Sequence, residues 1–358
     1  MSGGGSRTRA WIRAAIAALG LSLVAGANAR AGFEDAGTTA ANFLSLGAGA
    51  RTLAMSGATL GLGEDTGGAA WNPAALGWMH GNEAALSHAS LPNQSLQEWG
   101  SVGGRIRSSQ TRWAVTGLYQ GEGSIDGRDA TGAPTESFSV SSMAFGATLA
   151  QQVGGRATLG LGAKGVRENI ATASGSGITF DTGVMVRAGM FGFGAAAQNL
   201  GGRLSYGTSS YPFPTSYGVG LGFAHPSTGV RVALDANFPK AYHPDLRAGA
   251  EWVYRGVLAL RAGYRKELGS AADPLDGPSF GVGASHRGMW LDYGYLLSSI
   301  GSGQHRMGLR FRLGSSEAAA ASPRPAETSA KPPKPGDFDW ARDGGRLTPG
   351  TRPENRKP

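Results

Sequence analysis

Cysteine is absent from this chain. That excludes a disulfide framework and a lipid-modified N-terminal cysteine. Charge is scarce as well: Asp, Glu, Lys and Arg make up 16% of the 358 residues, against about 25% in a typical soluble protein. No lysine/arginine block is dense enough for nucleic-acid binding. The formal charge of +8 belongs largely to the ends, and residues 30–313 carry only about +3. No segment approaches ~18 consecutive apolar residues, which excludes a transmembrane helix. The histidines (His80, His88, His225, His243, His286 and His305) are scattered without metal-site spacing. Two glycine-rich runs, LGLGED and GVGLGF, lack the full G-x-G-x-x-G pattern between a strand and a helix, which argues against a nucleotide site. No cofactor and no metal are therefore expected.

What is abundant is glycine, at 60 residues, and a period-two pattern from Glu83 to Leu313. Residues 1–29 precede it and read as a secretory signal peptide. Arg7, Arg9 and Arg13 form its basic region, Ala14–Ala25 an apolar core too short to span a bilayer, and Ala27-Asn28-Ala29 a cleavage site. In the patterned region Leu159, Leu161 and Ala163 alternate with Thr158, Gly160, Gly162 and Lys164. Likewise Leu246, Ala248, Ala250 and Trp252 alternate with Arg247, Gly249 and Glu251. Residues i and i+2 of a strand share a face, so each strand has one apolar and one polar face.

A soluble sandwich would turn the polar faces to water. A membrane barrel would turn the apolar faces to lipid and the polar faces to the lumen. Export, strands of ~9–14 residues, and aromatic residues near strand ends (Trp113, Tyr119, Trp252, Tyr254, Tyr264, Tyr293, Tyr295) favour the barrel. The fold expected is all-β: a transmembrane antiparallel β-barrel of about 14 strands in the bacterial outer membrane. The strands are placed at 83–90, 98–107, 111–121, 138–152, 156–169, 175–188, 190–199, 216–225, 229–239, 245–254, 257–267, 277–286, 289–297 and 304–313. Longer connections at 122–137, 201–215 and 269–276 are expected on the extracellular side. The expected division is signal peptide 1–29, N-terminal plug 30–82, barrel 83–313, and a disordered Pro-rich periplasmic tail 314–358. That tail is either a passive linker or a docking peptide built on Phe338 and Trp340.

The stretch Gly47–Gly77 suits neither a strand nor a surface helix. It runs through Gly49-Ala50-Arg51 and Ala54-Met55-Ser56-Gly57-Ala58, then the acidic pair Glu64-Asp65, to Trp71-Asn72-Pro73-Ala74-Ala75-Leu76-Gly77. These motifs resemble the N-terminal signature of the PorV/PorQ family within the FadL-like superfamily of outer-membrane barrels. Ser56 and Ala75 stand where that signature carries glycine. The resemblance implies a fourteen-stranded barrel with an N-terminal plug in the lumen, and marks Arg51, Met55, Gly57, Glu64, Asp65, Trp71, Asn72, Pro73 and Ala74 as the plug motif. It implies a non-enzymatic role of one of two kinds. One is a type IX-like secretion accessory that handles secreted cargo proteins or secretion components. The alternative is a FadL-like transporter of hydrophobic small molecules. The expected surroundings are outer-membrane lipid.

Pro73 fixes its own φ and biases Asn72 toward extended geometry, while the Asn72 side chain can bond backbone two residues on. If the apolar faces meet lipid, then Arg231, Asp235, Arg247, Glu251, Arg261, Arg265, Asp292, Arg310 and Arg312 point into the lumen. They would serve as ion-pair scaffolding for an acidic plug or as a site for an anionic head group. Barrel hydrolases would need a nucleophile beside histidine. His88 with Ser90 and Ser285 with His286 read as pairs on opposite faces, without a third member, so no enzyme is expected.

Overall fold

A computed structural model of the protein describes residues 37–107, 109–269, 276–298 and 303–313. The expected signal peptide and Pro-rich tail lie outside the described residues. Sixteen strands join one antiparallel sheet. They are β1 (Asn82–Ser90), β2 (Leu96–Arg105), β3 (Thr111–Gly121), β4 (Val140–Val153), β5 (Ala157–Ile170), β6 (Ala173–Ala188) and β7 (Phe191–Leu200). After a short hairpin of β8 (Arg203–Tyr206) and β9 (Ser209–Pro212) come β10 (Ser216–Ala224), β11 (Val230–Pro239), β12 (Asp245–Tyr254) and β13 (Leu258–Glu267). The series ends with β14 (Gly277–His286), β15 (Met289–Leu296) and β16 (Gln304–Leu313).

Fourteen of these form a closed ring. Each pairs with its sequence neighbour, β7 continues to β10, and β1 closes on β16 from Asn82↔Leu313 to Ser90↔His305. The fourteen strands read from the sequence match to within two residues at each end. Connection 201–215, read as a plain loop, instead carries the β8–β9 hairpin, which joins β6 at Ser176↔Ser205. Its four-residue strands are too short for alternation to show in sequence.

The two mouths differ. At one, turns such as 154–156, 255–257 and 287–288 are tight; at the other, connections such as 122–139 are long. The outer face is apolar, with Phe145 69% and Leu161 67% exposed, as a lipid-facing surface requires. Trp113, Trp252 and Tyr254 lie toward the tight-turn mouth; Tyr119, Tyr264, Tyr293 and Tyr295 lie toward the other. No helix among the described residues is long and apolar enough to cross a membrane.

One rung of the wall is irregular. Between Phe180↔Leu200 and Thr182↔Ala197 an extra residue of β7 faces Asp181. Asn199 takes a left-handed φ of 55° there and donates its amide to the Asp181 carboxylate at 2.8 Å. Lys164 joins both, 2.6 Å from the Asn199 amide oxygen and 2.9 Å from Asp181. The Asn199 side-chain amide also donates to Pro214 O at 3.0 Å, which ties the hairpin's return segment to the bulge.

Inside the ring sits the N-terminal segment, folded as short helical turns at Asn42–Leu46, Ala50–Ala54, Thr66–Ala69 and Pro73–Trp78. The last two start on side-chain caps: Asp65 accepts from Gly68 N at 2.7 Å, and Asn72 accepts from Ala74 N at 3.0 Å with Pro73 in the first helical position. The lumen is narrow, and the plug backbone touches wall backbone. A Cβ on Gly194 of β7 would fall 1.8 Å from Leu60 O, and one on Gly160 of β5 2.3 Å from the Pro73 carbonyl carbon. Those wall positions are glycine because the plug occupies the space of a side chain.

Gly194→Ala should therefore unseat the plug, at a cost of about 1–3 kcal/mol from overpacking. The measurement is protease sensitivity of the 37–81 segment in detergent-purified barrel. Unchanged protection would contradict the contact.

Candidate functional site: plug lock and mouth cavity

Asn72 is fully buried and stitches the plug to the wall. Its amide nitrogen donates to Leu60 O at 3.1 Å and to Val184 O of β6 at 3.3 Å, while its oxygen holds Ala74 N. Asp235 of β11 does the converse, accepting the plug amides of Thr59 (2.7 Å) and Leu60 (2.9 Å) on one carboxylate oxygen. Met55 packs with Ala58, Leu62 and Ala233, against Gly249 and Gly263 of the wall. Gly57 has φ +77°, and a Cβ there would meet the Arg247 guanidinium at 2.6 Å.

Toward the tight-turn mouth the plug is locked by charge. Arg51 grips Glu251 of β12 with two parallel bonds, Nε at 2.9 Å and Nη2 at 2.8 Å, and reaches Asp65 through Nη1 at 2.6 Å. Arg310 of β16 meets the same Asp65 oxygen at 2.9 Å. Arg261 of β13 bridges Glu251 (2.7 Å) and Asp292 of β15 (2.8 Å). Glu64 pairs with Arg231 of β11 and, at 3.5 Å, with Arg187 of β6. Bidentate and shared contacts of this kind offset the desolvation of each charge; removal of one partner strands the others. Asp65 belongs to the plug, not to a spanning strand. Burial opposes its ionisation, but Arg51, Arg310 and the Gly68 amide outweigh it and bring its pKa down to about 2. Glu64 is likewise lowered, against burial, by Arg231, Arg51 and Arg187.

Toward the long-loop mouth Asp245 of β12 collects Arg247 (2.5 Å) and Arg265 (3.4 Å). Arg247 also lies 4.8 Å over the Trp71 ring. Arg312 stands apart from both groups, exposed at the tight-turn rim. Sequence reasoning missed two luminal arginines. Arg187 stacks 4.6 Å over Trp78 besides pairing with Glu64, and buried Arg306 holds Gly47 O (3.1 Å) and Gln97 (2.9 Å). Arg306 keeps the phase of Arg310 and Arg312, so alternation alone could have found it.

Above the plug, at the long-loop mouth, opens a cavity of about 650 Å³. Leu44, Leu46 and Trp71 form its apolar floor, with Gln198, Asn237 and Gln304 among its polar walls. Beneath Trp71 the space narrows to about 40 Å³ beside Leu53 and Arg306. The arrangement can receive a greasy molecule at one mouth and bars a straight path to the other.

The reading that His88 and Ser90 point to opposite faces is corrected by the structure. They lie two residues apart on β1 and share the outer face, where Ser90 Oγ is 3.3 Å from His88 Nε2.

No family model matches this chain, and no curated protein does. Solved structures do resemble it. The toluene transporter TbuX of Ralstonia pickettii aligns over 75% of this chain and 99% of its own, at 13% identity and TM-score 0.57. A FadL homologue of Pseudomonas aeruginosa aligns over 74% and 98%, at 10% identity and TM-score 0.53. The ΔS2S3 mutant of the monoaromatic hydrocarbon channel TodX aligns over 74% and 97%, at 13% identity and TM-score 0.52. At such identities the likeness concerns architecture alone: those structures and this chain share a closed antiparallel barrel, here of fourteen strands around an N-terminal plug.

The lock has a pH signature. Because the folded pKa of Asp65 is depressed, its stabilisation, on the order of 2 kcal/mol, is complete above its unfolded pKa near 4. It is lost as pH falls from there through about 2. Thermal unfolding in detergent should show this acid limb, and Asp65→Asn should flatten it. Arg51→Ala should cost about 3 kcal/mol by leaving Glu251 and Asp65 short of a partner, read as a lowered Tm with the heat-modifiable gel shift retained.

Proposed function

We propose that the protein takes up hydrophobic small molecules across the outer membrane, binding them first in the mouth cavity above the plug. The apolar floor of Leu44, Leu46 and Trp71 under an open mouth carries this reading. Ligand sites of this size are mostly apolar with a few polar groups that set orientation. The similarity to a toluene transporter and a monoaromatic hydrocarbon channel supports it. With the long connections taken as extracellular, the cavity faces the medium and the ion-paired lock faces the periplasm. Passage then requires the plug to shift against that lock.

A second reading, that of a secretion accessory, rests on the resemblance of Arg51, Glu64-Asp65 and the Trp71-Asn72-Pro73-Ala74 turn to the PorV/PorQ signature. In it the plug seals the barrel and the long loops hold protein cargo.

The two readings part on one measurement. Purified barrel should quench or shift its tryptophan fluorescence on titration with toluene or a long-chain fatty acid, and Leu46→Glu should weaken that binding at least about tenfold. Saturable binding lost in Leu46→Glu supports transport. Absence of saturable binding, with secretion components co-purifying, would decide for the accessory role.

A further inference from the structure

The outer wall carries a constellation that neither transport nor secretion uses. His88 of β1 and Glu98 of β2 are directly opposite in the ladder, and His88 Nδ1 lies 2.5 Å from Glu98 Oε1. The other ring nitrogen, Nε2, lies 3.3 Å from Ser90 Oγ. The chain of contacts is therefore carboxylate, imidazole, hydroxyl, with each imidazole nitrogen given one neighbour. That is the order of a Ser–His–acid triad, which is defined by geometry and not by fold or chain order. A nucleophile–base distance slightly beyond 3.2 Å is usual in a site without substrate.

The placement is equally specific. Ser90 is the last residue of β1, at the long-loop end of the wall, the level at which the strands of a membrane barrel meet the lipid interface. Tyr293, Tyr295 and Tyr119 mark the same level on neighbouring strands, and His305, held by the Tyr293 hydroxyl at 2.8 Å, is the cross-strand partner of Ser90. Ester groups of membrane lipids occupy this interface. Below the triad an outward-facing apolar groove of about 530 Å³ has His88 and Glu98 in its lining. Its floor includes Gly100 and Gly117, paired across β2 and β3, flanked by Leu86, Phe145 and Met307. The paired glycines add no side chains of their own, and the Leu86 and Phe145 side chains lie beside them. An acyl chain lying in that groove would bring its ester carbonyl up to the strand end.

We propose that Ser90, His88 and Glu98 form a hydrolytic site on the lipid-facing wall, which cleaves carboxylic esters of lipids whose acyl chain lies in the Leu86–Phe145 groove. Ser90 Oγ attacks the ester carbonyl carbon while His88 Nε2 takes the hydroxyl proton. Collapse of the tetrahedral intermediate breaks the bond to the alcohol oxygen, which leaves with the proton from His88. Water then attacks the acyl-serine, giving its proton to His88. The Ser90–acyl bond breaks, the proton returns to Ser90, and one free fatty acid is released per alcohol. Ser90 and His88 are the catalytic residues. Glu98 is a positioning residue, fixing the imidazole tautomer and orientation.

The test uses detergent-purified full-length barrel. A fluorophosphonate probe should label Ser90, identified by mass spectrometry, and labelling should vanish in Ser90→Ala and His88→Asn. Hydrolysis should be at least about 100-fold slower in both variants, with the heat-modifiable gel shift retained. Glu98→Gln should lower kcat with KM unchanged, and Glu98→Asp should recover part of it. Long-chain phospholipid in mixed micelles should be cleaved in preference to p-nitrophenyl butyrate; Leu86→Glu should erase that preference by disrupting the groove. Cleavage of the short soluble ester alone would overturn the lipid assignment. Wild-type barrel that takes no probe and hydrolyses no faster than Ser90→Ala would overturn the site altogether.

Discussion

A backbone that must lie against a barrel wall needs wall positions without side chains, and needs its own polar groups satisfied there. The first demand is met by luminal glycines such as Gly160 and Gly194, where a methyl group would occupy the place of plug backbone. The second is met by wall and plug carboxamides and carboxylates: Asp235 takes two plug amides, and Asn72 gives its own amide to the plug and to β6. A buried backbone group left without a partner costs as much as a lost hydrogen bond. The wall is therefore built around one conformation of the plug. Part of the high glycine content follows from that fit.

The ion-paired layer adds orientation. Arg51 comes from the plug and Glu251 from the wall, whereas Glu64 and Asp65 come from the plug and Arg231, Arg187 and Arg310 from the wall. Charge of both signs thus crosses the boundary in both directions. A plug rotated or shifted by one residue would set like charges together, so the layer specifies a register as well as holding it. The floor of the mouth cavity is fixed separately, by the Asp245–Arg247 pair, whose guanidinium lies over the Trp71 ring.

Most of the wall was legible in the sequence because a half-buried strand repeats every two residues and these strands are long. The β8–β9 hairpin was not, because four residues such as Arg203–Tyr206 give no usable period. The plug motif was legible as a compact insert, and the luminal phase of Arg231, Glu251 and Arg310 followed from alternation. Their pairing did not follow. It depends on which strands face each other across the lumen and on a plug residue 200 positions away from its partner. The relation of His88 to Glu98 was hidden for the same reason: it exists only in the β1–β2 register, and that register is set by a five-residue connection, 91–95, whose geometry the sequence does not announce.

The closing seam of the ring deserves a kinetic reading. β1 and β16 are the first and last strands of the series, and the plug that precedes β1 finds partners on strands as distant as β12 and β16. Contacts so remote in sequence close large loops and form slowly. The plug segment precedes every wall strand in the chain, so all of its wall partners follow it in sequence. Of the plug charges, Asp65 is the one that takes a partner from β16: Arg51 pairs with it within the plug and Arg310 from the last strand. The last strand thus completes two things at once, the seam with β1 and the pair of arginines on Asp65.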